Sequence, residues 1–340
     1  MARSANRGML QQLMSVLDRP GPLLILPHDN PDPDAMASAV AVKFLVHRIL
    51  QREAQIVLGG IVGRAENRAM RTYLNINLVP VSDVALDAPD TQIVLVDTQP
   101  GRPNNSLPDE VVPTAVIDHH PAYAEYPHVA FTDLRENYGA TSTILTEYLL
   151  ESRLDIEPKI ATALFYGITS ETQDLGREAT PADIEAAHFL YPYTNKRRLA
   201  KIENARVPRE YFRVFRDAID RAVIYDKIVV SMLGEVQYPD MVAEVADFML
   251  RLDRVEWAAA IGMFEGALHC SIRTTERDVN AGELLQRVLG SKSAGGHDQI
   301  AGGRIPIGTE GEARQRAAAV VRDRLLAELG VSPDDGRPLI

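Results

Sequence analysis

Three short apolar runs that end abruptly in acids and imidazoles limit most strongly what this chain can fold into. Leu23-Leu-Ile-Leu26 leads through Pro27 to His28, Ile93-Val-Leu-Val96 to Asp97, and Ala115-Val-Ile117 to Asp118-His119-His120. With Gln55-Ile-Val-Leu58 they alternate, from residue 22 to about 190, with amphipathic stretches of helix length at 35–50, 65–74, 139–152, 158–168 and 181–190. That alternation predicts an α/β fold: an N-terminal, doubly wound, mostly parallel sheet. Ligands of open sheets bind beyond the carboxyl ends of the strands. Three strands thus deliver acids and imidazoles to one edge.

The chain is 340 residues long and 46% hydrophobic, enough for about two packed domains. Residues 8–18 read as a first helix. Residues 191–216 differ from what precedes them, carrying Lys196, Arg197, Arg198, Lys201, Arg206, Arg209, Arg213 and Arg216 against Glu203 and Glu210. We therefore expect a catalytic domain over 1–190, a basic helical linker over 191–221 and a smaller α/β domain over 222–340, with a cleft between the domains. In the second domain 222–233 reads as a strand, 239–252 as a helix, 257–263 and 268–273 as paired strands, and 280–289 as a helix. A glycine-rich segment, a further strand and a helix at 311–329 close it, before Gly330.

A formal charge of −11, from 36 basic and 47 acidic residues, disfavours indiscriminate binding to long nucleic acid. The single cysteine, Cys270, excludes an internal disulfide framework and a zinc site built on several thiolates, so a reducing, cytoplasmic setting is expected. No apolar run approaches the roughly 18 residues of a membrane helix. The best candidate, Ala39 to Val46, is broken by Lys43, and Gln11 and Gln12 interrupt what would be the apolar core of a signal peptide.

The segment Pro27-His28-Asp29-Asn30-Pro31-Asp32-Pro33-Asp34-Ala35 is the densest in chemistry. Pro31 and Pro33 push Asn30 and Asp32 into extended geometry, in which Asp32 and Asp34 face the same way. Two carboxylates so close repel unless cations neutralise them. A cap on the helix starting at Ala35 would account for Asp34, but not for His28 or Asp32. Asp97 alone would be a strand-end turn, and a lone histidine after a strand is usually a packing residue. Two histidines behind Asp118, on the same edge as the first cluster, reverse that balance. A fourth element, Gly167 to Asp174, brings Glu171 or Asp174 to a helix end. Imidazoles and carboxylates without sulfur suit Mn²⁺, Co²⁺, Fe²⁺ or Zn²⁺ better than Mg²⁺ alone. So many carboxylates fit two ions, which about 3.5–4 Å apart can activate a water and clamp a phosphate in line. Phosphoester hydrolysis is the implied chemistry.

These four motifs, in this order, resemble those of the DHH phosphoesterase superfamily, the RecJ-like enzymes. The first is similar to the pattern HxNPDxDA, and Asp118-His119-His120 is the name-giving triplet. The second domain resembles the DHHA1 type through Ser271-Ile-Arg273 and Gly295-Gly296-His297-Asp-Gln-Ile-Ala301-Gly302-Gly303. In size and in the glycine-histidine motif the chain looks most like small bacterial nanoRNases that are also phosphatases of 3′-phosphoadenosine 5′-phosphate (pAp).

The resemblance implies that His28, Asp32 and Asp97 hold one ion and that Asp34, Asp97, His119 and the fourth-motif acid hold a second. Manganese is the first expectation, with Mg²⁺ and Co²⁺ as alternatives. His120 would then meet the scissile phosphate and Asp118 would orient the imidazoles. The family usually has Asp where this chain has Glu171, so Asp174 stays open as the alternative ligand. Arg273, Gly295, Gly296 and His297 would bind the far end of a short RNA, a dinucleotide such as pGpG, or pAp. A homodimer is a further implication.

Pyrophosphate or polyphosphate hydrolysis on the same chemistry, and a nucleotide-binding protein weakened by the Glu171 change, are the competing readings. Gly59-Gly60-Ile-Val-Gly63 does not have the dinucleotide-binding spacing, and no acid follows about 20 residues on in a strand-end context.

Overall fold

A computed structural model describes residues 8–177, 179–296, 298–308 and 311–340. The chain divides into two compact units between Ala205 and Arg206. That division falls inside the basic segment 191–221.

In the first unit, α1 (Met9–Leu17) precedes β1 (Leu23–Pro27), α2 (Pro33–Leu50), β2 (Gln55–Leu58), α3 (Ala65–Tyr73) and β3 (Leu78–Pro80). After these come β4 (Gln92–Val96), β5 (Ala115–Asp118), β6 (Phe131–Leu134), α4 (Thr141–Ser152), α5 (Pro158–Glu171), α6 (Pro181–Leu190) and α7 (Lys196–Glu203). Among the described residues the strands form one six-stranded parallel sheet in the order β3-β2-β1-β4-β5-β6. The order runs outward from β1 in one direction, then resumes on its other side with β4. The carboxyl ends of β1 and β4 therefore flank a topological switch point, where a crevice opens because successive crossovers leave in opposite directions.

Alternation along the strands sorts side chains between the two faces. Leu23 and Ile25 join the core under α2, α4 and α5, while Leu24 and Leu26 meet Leu86, Ile93, Leu95 and Val116 on the other face, which Val81, Val84, Leu107 and Val111 help to close. The small residues Ala35, Ala37, Ser38, Ala39 and Ala41 let α2 be buried nearly all round. A Cβ on Gly167 of α5 would lie 3.1 Å from the Ala37 Cβ and 2.4 Å from the Ser142 hydroxyl. Glycine there brings α5 close to α2 and α4, and Glu171, four residues on, shares that helix face. The helix runs past the 168 expected from sequence to end at Glu171.

The second unit comprises α8 (Arg209–Asp220), β7 (Val223–Tyr225), β8 (Ile228–Glu235), α9 (Asp240–Met249), β9 (Trp257–Phe264) and β10 (Ala267–Thr274). α10 (Ala281–Leu289), β11 (Ala294–Gly296), β12 (Ile300–Pro306), α11 (Gly311–Glu328) and β13 (Arg337–Pro338) complete it. Its described strands form a mixed sheet, β11-β12-β10-β9-β8-β7-β13, in which β8 and β9 are parallel. The apolar stretch expected as one strand over 222–233 is instead a hairpin. Asp226 takes a left-handed conformation, φ 53°, and folds β7 back on β8, a turn that a continuous run of strand formers hides. The basic segment is shared out: α7 buries Leu199 and Ile202 in the first unit, and α8 buries Ala218 in the second.

Candidate metal centre

Asp97 sits at the hub. It follows β4 in a left-handed turn, φ 60°, with its amide donating to the Ile117 carbonyl at 2.9 Å, and its side chain is 3% exposed. One carboxylate oxygen, Oδ2, is 3.7 Å from His28 Nε2; the other, Oδ1, is 3.6 Å from His119 Nε2 and accepts the Thr141 hydroxyl at 2.8 Å. His28 Nε2 is also 3.6 Å from Asp32 Oδ2. Two groups of potential ligand atoms, His28-Asp32-Asp97 and Asp97-His119-His120, each lie within 4.8 Å and meet at Asp97.

Both histidines are held in one tautomer. His28 Nδ1 donates to the Asp29 carbonyl at 2.9 Å and His119 Nδ1 to the Tyr138 carbonyl at 3.0 Å. Since a carbonyl only accepts, Nδ1 keeps its proton in the neutral ring and Nε2 is the nitrogen left to ligate, the arrangement usual for metal-bound imidazole. His119 Nε2 is buried with no hydrogen-bond partner. An orphaned imidazole nitrogen 3.6 Å from a buried carboxylate, with further acids around it, is the donor set a divalent ion fills. The residues present fit a metal.

Asp32 and Asp34 do not lie side by side on an extended strand, because α2 already starts at Pro33. Asp32 is the N-cap, its Oδ1 accepting the Ala35 amide at 2.9 Å and its Oδ2 facing His28. Asp34, 1% exposed, reaches across to the start of α4, where the Thr141 and Ser142 amides donate to its two oxygens at 2.7 and 2.8 Å. The cap weighed as the alternative role for Asp34 is made by Asp32, since an N-cap must lie just outside the helix and Asp34 is already inside it.

The electrostatics follow from crowding. Burial, then the charges of Asp34 and Asp32, push the Asp97 carboxyl well above the ordinary range. Burial and the neighbouring Asp32 likewise raise Glu171 to about 7, with His119 opposing. Burial disfavours a charged His28, but its close contact with the Asp32 carboxylate and the charge of Asp97 outweigh that and carry it up to about 10; for His119 the charges of Asp97 and Asp34 overcome burial and carry it to about 9. Without an ion, the site holds protons in its place. Glu171 thus belongs to the cluster electrostatically. Asp174 lies in a left-handed run with Gln173 and Leu175 and its charge acts on Glu203 instead.

Asp118, expected to orient the imidazoles, is hydrogen-bonded to that of His120. It is 1% exposed, and its Oδ1 accepts His120 Nδ1–H at 2.8 Å. Its Oδ2 accepts the Gln99 amide at 2.7 Å. Burial opposes its charge, but His120 and Gln99 outweigh burial and lower it to about 2, so it stays an anion and keeps the His120 proton on Nδ1. Gln99, fully buried, also accepts from the Tyr123 amide and the Tyr126 hydroxyl. Sequence reading gave Gln99 no role; its place two residues after Asp97 was the available signal. Tyr138 and Thr141 carried no signal at all.

Gly59-Gly60 also finds its purpose here. A Cβ on Gly59 would lie 1.7 Å from Asp29 Oδ1, and Gly60, φ 66°, lies against Asn30, whose Oδ1 accepts the Ile61 amide at 2.9 Å. The pair cradles the loop that aims His28.

In the second unit Arg273 is buried, with Nε on Asp247 and Nη1 on Ser271 at 2.7 Å and on the Ile272 carbonyl at 2.9 Å. The donors expected to face a substrate are thus largely committed within the domain. Gly295 and Gly296 lie exposed on edge strand β11, paired on one side to β12. A Cβ on Gly296 would come within 2.2 Å of the Ile300 carbonyl, so close approach demands glycine. His297 lies outside the described residues.

Residues 22–168 match the DHH family, N-terminal domain, and residues 225–325 match the DHHA1 domain. The chain belongs to the DHH/DHHA1 phosphoesterase family. It is 36% identical over 331 residues to an uncharacterized protein of Methanocaldococcus jannaschii, covering 94% of this chain and 66% of that protein. It is 25% identical to a cyclic-di-AMP phosphodiesterase of Geobacillus thermodenitrificans over 92% of this chain and 49% of the relative. Over 50% of this chain and 54% of the relative it is 30% identical to a probable manganese-dependent inorganic pyrophosphatase of Bacillus pumilus. The chain therefore spans one half to two thirds of these relatives' lengths. An exopolyphosphatase-related protein of Bacteroides fragilis shares the fold, with a TM-score of 0.74, 13% identity, and coverage of 95% of this chain and 98% of that one. Among the described residues no helix is long and apolar enough to cross a membrane.

Proposed function

We propose that this chain is a phosphoesterase using two divalent cations, Mn²⁺ foremost, and that its substrates are short oligonucleotides, dinucleotides of the pGpG type and pAp. The observation that carries the proposal is Asp97, one carboxylate oxygen facing His28 Nε2 and the other facing His119 Nε2, with both imidazoles oriented by backbone carbonyls. In this reading His28, Asp32 and Asp97 hold one ion, and Asp34, Asp97, His119 and Glu171 the other. When bound, the pair supplies a water of lowered pKa and a clamp on the phosphoryl oxygens.

The remaining steps belong to the protein. Asp118 holds His120 Nδ1, so Nε2 is the nitrogen that meets the phosphate and hands a proton to the leaving oxygen. Gln99 keeps Asp118 in place. The nucleotide assignment is supported by similarity to a cyclic-di-AMP phosphodiesterase over 92% of the chain, whereas the pyrophosphatase similarity covers half of it. Gly295, Gly296 and Arg273 remain proposed contacts for the far end of the substrate. The identity to pyrophosphatases favours pyrophosphate hydrolysis as the second reading.

The deciding experiment incubates the Mn²⁺-loaded protein with RNA 2-mers to 5-mers, pGpG, pAp and pyrophosphate, and separates the products by chromatography. Mononucleotide or phosphate release from the nucleotides supports the proposal. Turnover of pyrophosphate alone would establish the second reading, and no turnover of any would overturn both.

A further inference from the structure

We propose that Asp183, on α6, is a positioning residue for the metal cluster, acting through the turn at 138–143; this rests on the reading of the cluster given above. Asp183 is fully buried. Its Oδ2 accepts the Thr180 amide and hydroxyl, each at 2.7 Å, and the Gly139 amide at 2.9 Å, while Oδ1 accepts the Thr143 hydroxyl at 2.5 Å. The Thr180 amide contact is one half of a capping box for α6, whose other half is the Asp183 amide donating to the Thr180 hydroxyl, and the box by itself explains an acid at this position. A cap has no need of Gly139 and Thr143, which lie 44 and 40 residues earlier in the chain. Those two contacts clamp the turn into α4 from both sides.

That turn orients three of the proposed ligands. The Tyr138 carbonyl receives His119 Nδ1–H, the Thr141 hydroxyl donates to Asp97 Oδ1, and the Thr141 and Ser142 amides donate to the two oxygens of Asp34. His119 comes from the end of β5, Asp97 from the end of β4 and Asp34 from α2, so no single element holds them in register. Five consecutive residues do. Their other anchor is Arg135, bonded to Asp133 at 2.7 Å and to Glu147 at 2.5 Å, with the Tyr138 hydroxyl also on Glu147 at 2.7 Å. Freeing the Asp183 side would let the turn shift away from all three ligands together.

The test titrates metal-free, full-chain variants with Mn²⁺ by calorimetry and reads their thermal midpoints without metal. Asp183→Ala should weaken Mn²⁺ binding about 10- to 100-fold, the range typical of partners that orient ligands. Asp183→Asn should restore affinity to near wild type, since its oxygen can serve Gly139 and Thr180 while its amide faces the Thr143 hydroxyl. Thr180→Val, which damages the cap alone, should lower the midpoint and leave Mn²⁺ affinity unchanged. If Asp183→Ala fails to fold, Thr143→Val decides: a several-fold loss of affinity supports the proposal and wild-type affinity overturns it. Wild-type Mn²⁺ affinity in a folded Asp183→Ala, or equal losses from Thr180→Val and Asp183→Ala, would also overturn it. Because the readout is metal binding, failure of the substrate assignment shows separately, as absent turnover in a wild type that still binds Mn²⁺.

Discussion

Asp97 is buried among three imidazoles, with the charges of Asp32 and Asp34 acting on it, so its chemistry depends on which cation occupies the space between them. In the metal-free protein that cation is a proton, held by groups pushed up to about 10 at His28, 9 at His119 and 7 at Glu171. All three bind protons more tightly folded than unfolded, so the metal-free fold loses stability as pH rises from the unfolded values through the folded ones. The lowered carboxyls, Asp32 and Asp118 at about 2, act in the opposite sense and cost stability only as pH falls below about 4. Metal-free protein should therefore show a falling thermal midpoint from pH 7 to pH 10, and the stabilisation by Mn²⁺ should be larger at pH 8.5 than at pH 6. Calorimetry in buffers of differing ionisation enthalpy should record proton release on Mn²⁺ binding. At the same scale, His120→Ala should lower kcat by about 100- to 10,000-fold with Mn²⁺ binding kept, as loss of a general acid does. Asp97→Ala should abolish both, and a variant retaining Mn²⁺ affinity would displace Asp97 from the hub.

Among the elements, the loop between β1 and α2 is the one most constrained by contacts far away in sequence. Asp29 is held by the Asn104 carbonyl and the Ser106 hydroxyl, and it lies against Gly59 with no space for a Cβ. Gly59→Ala should cost about 1–3 kcal/mol in stability, the usual range for overpacking, and weaken Mn²⁺ binding through His28. Denaturant melts with and without Mn²⁺ separate the two effects. The element carrying Arg135 makes a contrasting prediction. Asp133, 7% exposed, pairs with Arg135 and accepts the Tyr148 hydroxyl, so Asp133→Ala should leave that buried hydroxyl unpaired and Arg135 held by Glu147 alone, at a cost of about 1–3 kcal/mol. Equal stability of this variant in urea would show that water compensates the pair.

For the molecule as a whole, a charge of −11 is compatible with phosphate substrates because the four proposed carboxylate ligands, Asp32, Asp34, Asp97 and Glu171, would be neutralised by the ions proposed for them. What remains acidic repels long polyanions. Efficiency, as kcat/KM with Mn²⁺, is expected to fall with RNA length from 2-mers toward 20-mers, and a rise with length would contradict the assignment to short substrates. The basic segment 191–216 is divided between the two units, α7 packing in the first and α8 in the second.

Strand ends bearing His28, Asp97 and Asp118-His119-His120 were legible in the sequence because a parallel sheet gathers its carboxyl ends on one edge, whatever the loops do. The motif order, the two domains and the need for cations follow from local pattern and charge. Which oxygen faces which imidazole did not follow. Tyr138, Thr141 and Ser142 leave no local signal, since a carbonyl, a hydroxyl and a backbone amide acquire their function only when folding brings a ligand within about 3 Å, and the local signal of Asp183 is that of a helix cap alone. The cap at Asp32, the reach of Asp34 to α4 and the burial of Glu171 beside the cluster were likewise decided by tertiary packing, because each depends on how closely α2, α4 and α5 approach, and glycine and alanine at those contacts set that distance.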